Sequence, residues 1–76
     1  MELRKIFASR LKSLRKSRKV TQAVLAKEMG VALHTIKNWE RAMNFPYLEM
    51  LCKIANYFDV SIDYLLGQTD NPARNR

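Results

Sequence analysis

Apolar residues recur along this chain at spacings of three and four, the period of a helix with one buried face. Leu3, Ile6, Phe7, Leu11 and Leu14 form a first stripe, which predicts a helix over about residues 2–17. After a short connection, Ser17-Arg18-Lys19-Val20, the hydroxyl of Thr21 is placed to cap a second helix, about 22–29, with Leu25, Ala26 and Met29 facing inward. Gly30 follows at once, where a residue able to adopt positive φ stops a helix and turns the chain. A third helix, about 32–42, has Ile36, Trp39 and Met43 as its expected inner stripe. Pro46 closes the next loop, and Leu48, Leu51, Ile54, Ala55 and Phe58 predict a fourth helix over about 47–58, with Cys52 beside its stripe as a small packed residue. Asp59-Val60 makes a turn, since Asp tolerates the left-handed region. Ser61 can cap a fifth helix, about 62–66, that turns Ile62, Leu65 and Leu66 inward and stops at Gly67. Residues 68–76 are polar and are expected to fray, as a tail or the start of a linker. The expectation is one all-α domain over 1–67, a five-helix bundle with a single core.

The polar positions of the third helix add to this picture. Leu33, His34, Lys37, Asn38 and Arg41 are spaced so that they share one outer face, opposite Ile36 and Trp39. Charge is the second feature. The net charge is +7, and residues 1–19 account for all of it, with eight basic groups against Glu2; the remaining six basic and six acidic groups cancel. A one-sided basic field attracts polyanions, nucleic acid before anionic membrane. The apolar face of the first helix is needed for the core, which disfavours the membrane, and no apolar run approaches the length of a membrane span. A single cysteine forms no internal disulfide, and one cysteine with one histidine cannot build a structural zinc site. No nucleophile–base pair, carboxylate dyad or phosphate loop can be assembled, so the chain does not read as an enzyme, and no cofactor is expected.

In order and with consistent gaps, the chain contains Leu14-Arg15, Thr21-Gln22-x-x-Leu25-Ala26, Met29-Gly30-Val31, Thr35-Ile36-x-x-Trp39-Glu40-Arg41, Pro46 with Leu48-Glu49, and KIANYFDVSIDYLLG over 53–67. This series resembles the Cro/C1-type, or phage-repressor-like, helix-turn-helix domains, and covers roughly three-quarters of the chain. The resemblance implies the lambda-repressor-like bundle and sequence-specific binding of double-stranded DNA by a transcriptional regulator, a repressor in the first instance. It also implies a homodimer on a DNA operator and a cytoplasmic setting in a bacterium or phage. The third helix would enter the major groove, with Leu33, His34, Thr35, Lys37 and Asn38 in reach of bases. An apolar Leu33 suits the thymine methyl, and Asn38 suits adenine. Thr21, Gln22, Arg18, Lys19, Arg41 and Asn44 would meet phosphates, Gln22 at a helix N-terminus that favours an anion. Arg15 and Glu40 match a pair that joins the first and third helices. The chain departs from the usual pattern at four turn positions. Lys19 and Ala42 stand where glycines are usual, and Ala32 and Tyr47 stand where small polar caps are usual. An antitoxin or anti-repressor module on the same fold, using the fifth helix and tail as a partner surface, is the competing expectation.

Overall fold

A computed structural model describes residues 2–74; the expected tail runs two residues beyond them. Five helices follow in order: α1 (Leu3–Ser17), α2 (Gln22–Met29), α3 (Leu33–Glu40), α4 (Leu48–Phe58) and α5 (Ile62–Leu65). No strand occurs among the described residues. α3 packs on both α1 and α2, while α5 bridges α1 and α4. At the centre lies Phe7, fully buried, with its ring edge-to-face against Trp39 (6.4 Å between centroids) and Phe45 (5.3 Å). Such pairs add to the burial energy of the rings themselves. Leu11, Leu25, Ile36, Ile54, Phe58 and Leu65 complete the fully buried set, drawing on every helix.

Several expected boundaries and inward positions change. α3 ends at Glu40, two residues early. Arg41 is its C-cap, Ala42 adopts φ 61°, and the Met43 N–H returns to the Asn38 carbonyl at 2.9 Å. That reversal swings Met43 outward to 62% exposure, so it is not part of the inner stripe. α4 begins one residue late, at Leu48, which is 67% exposed; Met50 takes the inward place in the first turn. At 100° per residue Leu48 lies roughly 80° from the centre of the stripe, at its edge. Cys52 lies farther round the same helix and is exposed, not packed. α1 and α5 are each one residue shorter than expected.

The chain beyond Gly67 is docked rather than frayed as far as Arg74. Arg10 Nη2 donates to Asp70 Oδ1 at 2.9 Å while its guanidinium lies 4.0 Å from the centre of the Tyr64 ring. The Ser61 N–H donates to the Pro72 carbonyl at 3.1 Å. Arg74 Nη2 donates to Asn56 Oδ1 at 2.5 Å, and its Nη1 lies 3.7 Å from Asp59 Oδ1.

Candidate nucleic-acid interface

The α2–turn–α3 unit is held at both ends. At the start, Thr21 Oγ1 accepts from the Val24 N–H at 3.1 Å, satisfying one of the donors a helix leaves free in its first turn. At the end, Gly30 adopts φ 72°, and the Val31 N–H reaches back to the Ala26 carbonyl at 3.0 Å. An added Cβ at Gly30 would meet nothing closer than Lys53 Nζ at 3.8 Å, so glycine is required there by backbone conformation and not by space. Lys53 of α4 also donates from Nζ to the Met29 carbonyl at 3.1 Å, a cation at the negative end of α2. Ala26 of α2 is buried, and α2 packs on α3.

On α3, Ile36 and Trp39 face the core. With them is Glu40, whose side chain is only 2% exposed. A buried carboxylate is costly unless it is paired and hydrogen-bonded. Arg15 supplies both: Nε donates to Glu40 Oε2 at 2.7 Å and Nη2 to Oε1 at 3.0 Å, while Nη1 donates to the Val20 carbonyl at 3.0 Å. The hydrogen bond to Glu40 and its charge hold the Arg15 guanidinium above its usual pKa, against the opposing effect of burial. Gln22 Nε2 donates to the same Oε1 at 3.1 Å. The Glu40 carboxylate therefore ties together α1, α2 and α3, and Arg15 extends the network to the turn between the first two.

The opposite face of α3 is presented to solvent. Leu33 (40% exposed), His34 and Arg41 are exposed, and Thr35, Lys37 and Asn38 are half-buried beside them. Thr21, Lys19 and Asn44 are exposed. Thr21 uses an oxygen lone pair for the cap and keeps its hydroxyl proton to donate.

Two of the residues expected at phosphates also have partners within the fold. One N–H of the Gln22 carboxamide goes to Glu40, which leaves its second N–H and the first-turn backbone N–H to be offered elsewhere. Arg18 is exposed, and its Nη2 donates to the Phe58 carbonyl at 2.6 Å with the guanidinium over the Phe58 ring, so it also caps the C-terminus of α4. Sequence reasoning missed these bonds and that of Lys53 because the partners lie 18, 40 and 24 residues away and carry no local signal.

This arrangement is the helix-turn-helix of the phage-repressor type, a capped helix and a tight αL turn presenting a second helix on a rigid bundle. The chain belongs to the helix-turn-helix domain family, whose model matches residues 8–71. Among curated relatives it is 39% identical to the uncharacterized HTH-type transcriptional regulator YobD of Bacillus subtilis, with 88% of this chain and 60% of that protein aligned. It is 41% identical to the cryptic phage CTXphi transcriptional repressor RstR of Vibrio cholerae, over 78% of this chain and 53% of that one. Among solved structures, the DNA-binding domain of the P22 C2 repressor superposes with a TM-score of 0.73 at 36% identity, covering 90% of this chain and 93% of that domain. The chain spans between half and three-fifths of the length of the first curated relatives it matches.

Proposed function

We propose that the chain is a sequence-specific double-stranded DNA-binding transcriptional regulator, acting as a repressor. The observation that carries this reading is the division of α3. Its inner face is locked by Ile36, Trp39 and the Arg15–Glu40–Gln22 network, and its outer face is a free, mixed polar and apolar surface. A helix so presented fits a major groove. Leu33, His34, Thr35, Lys37 and Asn38 read bases; Thr21, the Gln22 backbone N–H, Lys19, Arg41 and Asn44 meet phosphates. Residues 1–67 form the binding unit, and it pairs as a homodimer on two half-sites about 34–36 Å apart. The setting is the cytoplasm of a bacterium or phage-infected cell, with no cofactor and no catalytic step.

The antitoxin-like alternative requires an apolar partner surface on α5 and the tail. Among the described residues the exposed large apolar ones are Val24, Leu33, Met43, Tyr47 and Leu48, none of them in α5 or the described part of the tail. Selection from a random duplex library followed by sequencing tests the proposal. The expected outcome is an enriched motif with two-fold symmetric halves, and selectivity that relaxes in Asn38→Ala more than overall binding weakens. Equal affinity for selected and random duplexes would sink it.

A further inference from the structure

Beside the outer face of α3, the exposed side of α1 and the C-terminal end of α3 border an open groove of about 490 Å³. Lys5, Lys12, Lys16 and Arg41 line it, with the hydroxyls of Ser9 and Ser13 between them. Lys5 has a weak partner, Glu2 at 3.5 Å on the surface. Lys12, Lys16 and Arg41 have no acidic partner among the described residues. The one carboxylate at the groove, Glu40, is neutralised from the far side by Arg15, and Gln22 donates to it as well. Apart from Lys5, the groove is therefore a run of cations without acidic partners, with hydroxyl donors between them, open along its length. That suits the edge of an anionic polymer and not a small enclosed ligand.

We infer that this groove binds the DNA phosphate backbone outside the stretch read by α3, extending the footprint along the flank of the half-site. The inference rests on the DNA-binding reading and deepens it. Arg41 joins the two surfaces, since it belongs to the outer face of α3 and to the groove wall. A duplex seated on α3 would run past the groove. From Lys5 to Lys16 the α1 stripe is roughly 16 Å long at 1.5 Å per residue. One DNA strand advances about 3.4 Å per phosphate, so the stripe matches several consecutive phosphates. A membrane is the poorer occupant, because the apolar face of α1, with Phe7 and Leu11 fully buried, is spent in the core.

The test compares the full chain with Lys12→Gln/Lys16→Gln and with Lys12→Arg/Lys16→Arg. Both lysines are exposed, so a circular dichroism melt should show all three folded alike. Affinity is measured against salt on a selected duplex with long flanks, on the same duplex trimmed to the half-sites, and on a random duplex. Each lost phosphate contact lowers the slope of log K against log salt by about 0.9. On the long-flanked duplex the Gln variant should therefore lose about 1.8 in slope, and the Arg variant should retain the original value. On the trimmed duplex wild type and Gln variant should coincide. Equal slopes on the long duplex, with Asn38→Ala still relaxing selectivity, would overturn the groove contact and leave the role of α3 standing. Should no duplex be preferred, the specific reading fails, and the random duplex decides the groove by the same drop or its absence. Loss of binding to phosphatidylserine vesicles with an unchanged DNA slope would also overturn it, in favour of a lipid surface.

Discussion

A carboxylate with 2% of its side chain exposed persists in an 8.9 kDa domain only because its neighbours hold the charge. Glu40 accepts three hydrogen bonds, two from Arg15 and one from Gln22. Replacing Arg15 with Met leaves that charge with a neutral partner alone, and should cost about 3–5 kcal/mol in urea denaturation. Adding Glu40→Leu should recover most of the loss, because the penalty comes from the stranded charge and not from the missing pair. A double variant no more stable than the single would contradict this account. The pair adds no pH dependence near neutrality through Arg15. A raised folded pKa contributes stability that is fully present below the unfolded value and is lost only as pH rises through the folded one, far above neutral. Ala42 is a second residue with a calculable effect. It sits at φ 61°, where a side chain costs about 1–2 kcal/mol relative to glycine. Part of that gain is offset by the greater unfolded-chain freedom of glycine, so Ala42→Gly should stabilise by about 0.5–1 kcal/mol. For a domain of this size the melting temperature should rise by a few degrees, about 4 °C near the middle of that range. The resemblance had marked both Ala42 and Lys19 as positions where glycine is usual. Their φ values of 61° and 56° give the physical reason, which the local sequence does not contain.

The helices themselves were legible because each buries one stripe, and a stripe at spacings of three and four is visible without coordinates. Their ends were less so. The pattern Ile36, Trp39, Met43 continues in phase past Glu40, but the left-handed Ala42 reverses the chain before Met43 can use it. Periodicity likewise gives the angle of Leu48 and Cys52 around α4 and does not say what lies opposite them. Capping was legible where a side chain does it: Thr21 and Ser61 both accept from the N–H three residues on, at 3.1 and 2.9 Å. α3 has no such bond. Ala32 holds the extended geometry of a cap, φ −71° and ψ 153°, without an oxygen to complete it. Ala32→Ser should therefore stabilise by about 1 kcal/mol, seen as a higher melting temperature with unchanged helix content. No change would mean that the free N–H groups at the start of α3 are already well served by water.

At the scale of the whole molecule, the outer face of α3 was legible as a set of positions, and so were Ile36, Trp39 and the Arg15–Glu40 pair behind it, while the rest of its support was not. Gln22, Arg18 and Lys53 are polar residues whose roles are set by groups far off in the chain, and only the folded arrangement brings these together. The same holds for the closure of the bundle, where residues after α5 meet α1. Two contacts share that seam and should differ in weight. Arg10 contributes a surface ion pair to Asp70, a side chain fully in solvent, and a cation over the Tyr64 ring. Exposed pairs contribute about 0–1 kcal/mol and such cation–π contacts about 0.5–1 kcal/mol. Arg10→Met keeps an apolar stem against Tyr64 but loses both contacts, together with the bond from Nη1 to the Thr69 carbonyl at 3.4 Å, and should thus cost about 0.5–2 kcal/mol. Gly67 is different. It adopts φ 75°, and a Cβ added there would lie 2.5 Å from Ile6 Cγ2 and 3.3 Å from Ile6 Cδ1. Gly67→Ala therefore meets two penalties, about 1–2 kcal/mol for the left-handed backbone and about 1–3 kcal/mol for overpacking against a half-buried side chain. The sum, about 2–5 kcal/mol, is a large share of the stability expected for so small a domain. Trimming the neighbour with Ile6→Val in the Gly67→Ala background should relieve only part of the overpacking, because Cγ2 is retained, while Ile6→Ala removes it. Chemical denaturation of these variants separates the two costs: the loss that survives in Ile6→Ala/Gly67→Ala, relative to Ile6→Ala alone, is the backbone strain. If that residual loss vanished, the positive φ of Gly67 would be a consequence of packing against α1 and not a requirement of the turn.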